Sequence, residues 1–136
     1  MTQRTRRQFI RESLGAVAAS AVYVGPLSSL AQTGASDTLT CAVIGVRGRG
    51  GSHVDAFAGR KDCIVAYIVD VDEKAGQQRC EAVEKRTGRR PKFVRDMREA
   101  FDDKSVDFIA TATPNHWHAL CGVWAMQAGK DAYIEK

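Results

Sequence analysis

The stretch Cys41-Ala-Val-Ile-Gly-Val-Arg-Gly-Arg-Gly-Gly-Ser-His53 decides the fold. Its first half is apolar, which is typical of a strand buried on both faces of a sheet. Its second half is rich in glycine, and such a turn between a strand and a helix often holds a phosphate. Because two arginines stand among the glycines, three interpretations are open: a dinucleotide cradle, an anion site of another kind, or a tight loop.

Further strands and helices alternate along the chain. Apolar runs rich in β-branched residues predict buried strands at Leu39–Val46, Cys63–Asp70 and Val106–Thr113. Helices are predicted after the glycine turn and at Asp72–Gly88, Met97–Asp103 and His118–Gly129, and short strands at Lys92–Arg95 and Asp131–Glu135. This alternation predicts the α/β class, with a Rossmann-like doubly wound parallel sheet and right-handed crossovers.

The predicted domain, residues 39–136, is long enough to bury a small core. The sequence stops directly after the last predicted strand, so that edge of the sheet is uncovered and no residues remain for a substrate pocket. We therefore expect the N-terminal part of a longer two-domain protein, with the C-terminal substrate domain missing.

Residues 1–31 have the parts of an export signal: a charged head, an apolar middle and a small-residue end at Ala31. The pair Arg6-Arg7, with Phe9 two residues later, resembles the twin-arginine signal, although an ordinary secretory signal or a chance pair is an alternative. Glycine, proline and serine interrupt the apolar middle, so no stable membrane span is expected. The prediction is a twin-arginine signal peptide over residues 1–31 and a linker over residues 32–38. The protein is then periplasmic or otherwise exported, and the twin-arginine export machinery is its partner.

The net charge of +4 does not indicate a nucleic-acid partner. Residues 1–31 hold four arginines against one glutamate, so most of the basic excess belongs to the export signal. The four cysteines form no C-x-x-C pair, and no metal site is expected. Disulfides are an alternative in an exported protein, but cysteines in apolar strands favour buried free thiols.

The glycine turn is compared with the dinucleotide fingerprint G-x-G-x-x-G. Gly45 and Gly50 fill its first and third places, whereas Arg47 fills the second, where a side chain would crowd a pyrophosphate. A turn shifted by one residue would give that task to Gly48. Arg47 and Arg49 would then add charge-assisted contacts to the phosphates.

Asp70 ends the second predicted strand, 25 residues after Gly45. This is near the spacing expected for the acid that binds the adenosine ribose hydroxyls. Its alternative role is a helix N-cap, but Asp72 suits that cap better because it directly precedes the helical run. A carboxylate at Asp70 repels a 2′-phosphate, which favours NAD, while the two arginines of the turn keep NADP open.

A second polar group follows the strand Val106–Thr113. Pro114 ends strand pairing, and the side chains of Thr113, Asn115, His116 and His118 are expected at the same sheet edge as the glycine turn. Two histidines without a nearby carboxylate or cysteine make a poor metal site. A role for one of them in facing a ligand is the better interpretation.

Four other residues have open roles. His53 is expected to face solvent from the helix after the turn, and Trp117 is either a pocket wall or part of the core. Glu135 and Lys136 end the fifth predicted strand at the same rim. Without further chain, they are expected to form an exposed tail.

Together, these segments resemble the N-terminal domain of the glucose–fructose oxidoreductase/inositol dehydrogenase (Gfo/Idh/MocA) family. The residues that carry the resemblance are AVIGVRGRGGSH, IVDVD, ATATPNHWHAL, the helix end AGK, and YIEK, which is similar to the family's Glu-Lys-Pro motif without its proline. It covers nearly all of residues 38–136. The departure from the family pattern is Arg47 in the second fingerprint place.

The resemblance implies roles for individual residues. The turn from Gly45 to Gly50 would hold the pyrophosphate of NAD(P), and Asp70 the adenosine ribose. Thr113 and Pro114 would line the nicotinamide side.

The remaining roles lie at the nicotinamide ribose and the substrate. Asn115, His118 and Glu135 would lie at the ribose. Lys136 would be catalytic: it would lie between cofactor and substrate and orient the substrate hydroxyl. In such family members the other catalytic residues come from the second domain.

Three functions are open, of which the resemblance implies the first two and the short length of the chain suggests the third. The first is an NAD(P)-dependent oxidoreductase that transfers a hydride to or from a sugar, polyol or related hydroxyl compound. The second is an NAD-dependent glycosidase-like hydrolase, which some relatives are, using transient oxidation of the sugar. The third is a non-catalytic dinucleotide-binding fragment. A homo-oligomer of the longer protein is an open alternative.

Overall fold

The computed structural model of this protein describes residues 38–136. The predicted signal peptide, residues 1–31, and all of the predicted linker except Thr38 lie outside the described residues. In the described part, strands and helices alternate without exception. They are β1 (Leu39–Ile44), α1 (Arg49–Ala58), β2 (Cys63–Val69), α2 (Glu73–Thr87), β3 (Lys92–Val94), α3 (Arg98–Asp102), β4 (Phe108–Thr111), α4 (Asn115–Gln127) and β5 (Asp131–Ile134).

The five described strands form one parallel sheet in the order β3-β2-β1-β4-β5. The predicted α/β class with a Rossmann-like parallel sheet is confirmed. The chain builds outwards from β1 to β3 on one side and then returns to place β4 on the other side of β1. The strand order therefore reverses between β1 and β4, and ligands bind at such a reversal in open α/β sheets.

The central strand of the sheet, β1, is buried on both faces from Cys41 to Ile44, whereas the edge strand β5 is exposed. One core cluster includes Ala42 and Ile44 of β1, and a second cluster on the other face includes Cys41 and Val43. Helices pack on each face, so successive residues of β1 are both buried although they point in opposite directions. This double burial explains why the strands are continuous apolar runs instead of alternating patterns.

Helix α2 has the two caps that the sequence predicts. The Asp72 carboxylate accepts a hydrogen bond from the Ala75 amide (3.2 Å), and Gly88 ends the helix with a φ of 72°. Lys85 and Arg86 lie in the last turn, where they favour the helix dipole.

Helix α4 begins at Asn115, three residues before the predicted start at His118. Pro114 is its N-cap, and the Pro114 carbonyl accepts a hydrogen bond from the Trp117 amide (2.9 Å). A proline is compatible with a helix start because its missing amide has no partner there anyway. The polar run expected as a loop is therefore the first turn of the helix.

The described cysteines are free thiols, as expected. Cys41, Cys80 and Cys121 are buried, and Cys63 is half-buried with its sulfur 3.8 Å from that of Cys41. Burial raises the pKa of the Cys63 thiol, and that of Cys41 more strongly. These thiols are consequently poor nucleophiles.

Between Thr38 and Lys136 there is no helix whose length and apolar character would let it cross a membrane.

Candidate functional site

A cavity of about 720 Å³ opens at the carboxyl edge of the sheet, where β1, β2 and β4 end. Its lining includes five residues predicted to bind a cofactor: Gly45, Arg47, Asp70, Thr113 and Pro114. These residues come from three separate segments of the sequence. The reversal of strand order brings the segments together because the loops after β1 and β4 leave the sheet in opposite directions.

Two glycines of the turn are required by close packing. A Cβ atom on Gly45 would lie 3.1 Å from the Thr113 amide nitrogen, and the residue has a φ of 76°. A Cβ atom on Gly50 would lie 1.7 Å from the Gly45 carbonyl oxygen, a distance that no side chain can occupy. The first glycine thus shapes the turn, and the third lets α1 pack directly on the end of β1.

The second fingerprint place tolerates arginine because the residue with a positive φ is the next one, Gly48, and not Arg47. Gly48 has a φ of 47°, whereas Arg47 has no positive φ. No heavy atom lies within 4 Å of the position that a Cβ on Gly48 would occupy. The backbone at Gly48 is therefore open to a ligand, as the shifted alignment of the turn requires.

Helix α1 begins with an uncapped N-terminus. Its N-cap is Gly48, no side chain caps it, and its first turn contains no acidic residue. The amides of Gly50 and Gly51 donate to the carbonyls of Arg47 (3.0 Å) and Gly48 (3.1 Å). The helix dipole gives this end of α1 a partial positive charge. Such an end favours an anion, and a pyrophosphate is the anion that a dinucleotide would supply.

The guanidinium group of Arg47 forms an ion pair with the carboxylate of Asp72. The Arg47 side chain is 72% exposed. Asp72 also caps α2, so this arginine extends from the glycine turn towards the start of the second helix. To contact a phosphate as predicted, the Arg47 guanidinium group would have to bind both the phosphate and Asp72, or break its ion pair with Asp72.

Asp70 occupies the rim of the cavity, directly after β2. One carboxylate oxygen accepts a hydrogen bond from the Val46 amide (2.9 Å), and the other accepts one from the Asp72 amide (2.9 Å). These bonds fix the carboxylate between the ends of β1 and β2. Each carboxylate oxygen can accept more than one hydrogen bond, so capacity remains for ribose hydroxyls.

The polar residues after β4 form a compact group. The carbonyl oxygen of Thr113 lies 2.7 Å from Nε2 of His118. The hydroxyl oxygen of Thr113 lies 3.0 Å from the hydroxyl oxygen of Thr111. Asn115 and His116 are exposed on the first turn of α4. Trp117 lines the cavity and is 38% exposed. Among residues 38–136, no three His, Cys, Asp or Glu side chains are grouped so that they could hold a metal ion.

Two expectations about the rim are wrong. His53 does not face solvent, because it is only 8% exposed and its Nε2 lies 3.0 Å from a carboxylate oxygen of Glu135. Glu135 is not part of an exposed tail, because its side chain is 11% exposed and also accepts a hydrogen bond from Nε of Arg49 (3.0 Å). Lys136, the next residue, is exposed as expected.

The hydrogen bond from Arg49, and then that from His53, lowers the pKa of Glu135 below its ordinary value. The carboxylate is therefore held ionised at neutral pH. Sequence reasoning missed this cluster, although one signal was present: residues four apart on a helix, such as Arg49 and His53, lie on the same face.

Comparison with known protein families identifies the domain. Residues 39–136 match the family model described as "Oxidoreductase family, NAD-binding Rossmann fold", which is Gfo/Idh/MocA. The chain belongs to this family. The predicted resemblance is confirmed, and residues 39–136 form an NAD-binding Rossmann domain.

The similar curated proteins have names that refer to glycosidases. The chain is 27% identical over 103 residues to a "Glycosyl hydrolase family 109 protein" of Shewanella pealeana, a match that covers 73% of this chain and 23% of the relative. It is 28% identical over 96 residues to an "Alpha-N-acetylgalactosaminidase" of Shewanella oneidensis, covering 68% and 21%. The chain thus spans about a quarter of the length of these relatives.

Similar solved structures include dehydrogenases. GenD2 from gentamicin A biosynthesis, solved in complex with NAD, is 27% identical with a TM-score of 0.64, covering 73% of this chain and 27% of that one. A myo-inositol dehydrogenase of Corynebacterium glutamicum is 25% identical with a TM-score of 0.64, covering 73% and 28%.

Asp70→Ala is expected to weaken NAD binding by about 1–3 kcal/mol, the scale of hydrogen bonds to a charged group. The measurement is isothermal titration calorimetry of the full-length protein with NAD. Asp107→Ala is the matched control because the Asp107 carboxylate also binds a strand-end amide, that of Thr40 (2.7 Å), but at the opposite edge of the sheet. Equal NAD affinity in the wild type and Asp70→Ala would remove Asp70 from the site.

Proposed function

We propose that this chain is the nucleotide-binding part of an exported NAD-dependent oxidoreductase that acts on a sugar, polyol or related hydroxyl compound. The observation that carries the proposal is the cavity at the strand reversal, which is lined by Gly45, Arg47 and Asp70. Since the chain spans about a quarter of its curated relatives, the substrate domain is proposed to follow it in the longer protein.

NAD would be held along the carboxyl edge of the sheet. The turn from Gly45 to Gly50 would hold the pyrophosphate, and Asp70 would bind the hydroxyls of the adenosine ribose. Thr113 and Pro114, which line the same cavity beyond Gly45, would border the nicotinamide. Asn115 and His118 belong to the first turn of α4 and would lie at the nicotinamide ribose.

The cofactor would accept or return a hydride, while the protein sets distances and electrostatics. The ammonium group of Lys136 would orient the substrate hydroxyl and stabilise the negative charge that develops on its oxygen. Glu135 precedes it at the end of β5 and would contribute to the ribose contacts. The remaining proton-transfer groups would come from the substrate domain.

NAD is favoured over NADP by the charges near Asp70. The Asp70 carboxylate would repel a 2′-phosphate, and the nearby cation Arg47 is already paired with Asp72. Arg47 would have to leave this partner to bind a 2′-phosphate. The two arginines of the turn keep NADP binding open as a weaker alternative.

A second candidate is a hydrolase that cleaves glycosides through transient oxidation of the sugar. The names of the similar curated proteins favour it, since they refer to glycosyl hydrolase family 109 and to an α-N-acetylgalactosaminidase. The same nucleotide site would serve both reactions. They differ in the fate of the hydride, which a hydrolase must return to the sugar within each cycle.

We expect free NADH to accumulate when the full-length protein is mixed with NAD and the correct sugar or polyol. Cleavage of chromogenic glycosides without net NADH would instead support the hydrolase. In either case Lys136→Ala should lower turnover about a hundredfold or more. Lys104→Ala, which changes an exposed lysine between α3 and β4, is the control and should leave turnover unchanged. A Lys136→Ala variant with wild-type turnover would contradict the proposed role of this lysine.

Export by the twin-arginine route is supported by the sequence around Arg6 and Arg7, which lies outside the described residues. Replacing both arginines by lysine should retain the protein inside the cell, because this route reads the arginine pair itself and not its charge. The matched control replaces Arg4 and Arg11 by lysine. Cell fractionation measures how much of each variant is exported. Unimpaired export of the Arg6→Lys, Arg7→Lys variant would contradict the proposed route.

A further inference from the structure

The Glu135 carboxylate joins the end of β5 to helix α1. Its Oε2 accepts hydrogen bonds from Nε of Arg49 (3.0 Å) and from Nε2 of His53 (3.0 Å). Its Oε1 accepts one from the amide of Lys136 (3.3 Å). The backbone is also fixed, since the Glu135 amide donates to the carbonyl of Thr111 on β4 (2.9 Å). Residues 82 positions apart in the sequence are thereby connected.

The environment of His53 directs its polar contact to Glu135. The ring is edge-on to Tyr133, with centroids 5.3 Å apart, and tilted against Phe57 at 6.3 Å. Its Nδ1 is buried and has no hydrogen-bond partner among the described residues. Because an ionised carboxylate can only accept, the Nε2 of His53 must carry the hydrogen. The ring thus has one hydrogen bond and is held by aromatic contacts in the orientation that makes it.

The two donors to Glu135 differ in exposure. Arg49 is 67% exposed and stands at the start of α1, where a bound phosphate would compete for its guanidinium group. His53 is one turn further along the helix and 8% exposed. Its bond to Glu135 is shielded from water and from the anion. This bond can therefore persist when Arg49 changes partner.

We propose that His53 is a positioning residue, which holds Glu135, and through it Lys136, in a fixed place relative to the glycine turn. Helix α1 starts at the turn, so the bond from His53 links the pyrophosphate end of the site to its nicotinamide end. The inference rests on the proposed function for the roles of Glu135 and Lys136. The buried hydrogen bond between His53 and Glu135 does not depend on those roles.

The test compares two substitutions of His53 in the full-length protein. His53→Phe keeps the aromatic contacts but removes the donor, whereas His53→Gln keeps an N–H group near the position of Nε2. Calorimetry with NAD and with ADP separates the ends of the site, because ADP lacks the nicotinamide and its ribose. We expect His53→Phe to weaken NAD binding about tenfold and to leave ADP binding unchanged. His53→Gln should restore NAD affinity.

A merely structural role would give a different pattern. Equal loss of NAD and ADP affinity in His53→Phe would overturn the proposal, and so would unchanged affinity for NAD. A wild-type protein that binds neither nucleotide would instead overturn the proposed function.

A second measurement does not depend on nucleotide binding or on the stability of a variant. The nitrogen NMR signals of the His53 ring in the wild-type protein report which nitrogen carries the hydrogen. We expect the Nε2–H form. The Nδ1–H form would show that His53 does not donate to Glu135 and would overturn the proposal.

Discussion

The site depends on the direct contact between the glycine turn and the helix that follows it. A Cβ atom on Gly50 would lie 1.7 Å from the carbonyl oxygen of Gly45, so only glycine allows α1 to start this close to the end of β1. This approach starts α1 four residues after Gly45, which lines the cavity. It also brings His53, one turn into the helix, within 3.0 Å of Glu135 at the end of β5. One close approach thus supports both ends of the proposed nucleotide site.

The topology of the sheet supplies the rest of the geometry. Because β1 lies between β2 and β4, the segments that follow these three strands meet at one edge. Asp70 is fixed there by the amides of Val46 and Asp72, and Thr113 lies against Gly45. The binding groups are therefore placed by backbone hydrogen bonds and strand register. These contacts do not depend on the residue type at Arg47, where the turn departs from the family pattern.

Local features and the sheet edge where the separate segments meet could be predicted from the sequence, whereas individual side-chain contacts between distant segments could not. The apolar strands, the N-cap at Asp72 and the C-cap at Gly88 each depend on a few neighbouring residues. The start of α4 at Asn115 was missed because the polar run after Pro114 resembles a loop. His53 contacts Glu135, a partner 82 residues away in the sequence, and the helical spacing of Arg49 and His53 does not identify that partner. The pairing of Arg47 with Asp72 was missed for the same reason.

The central claim is that three separate segments of the chain meet at one edge of the sheet to hold NAD. A crystal structure of the full-length protein with NAD tests this claim most directly. The account predicts the pyrophosphate at the start of α1, between Gly45 and Gly50, with the adenosine ribose within hydrogen-bond distance of the Asp70 carboxylate. Density for NAD at another surface, or a pyrophosphate away from the start of α1, would contradict it.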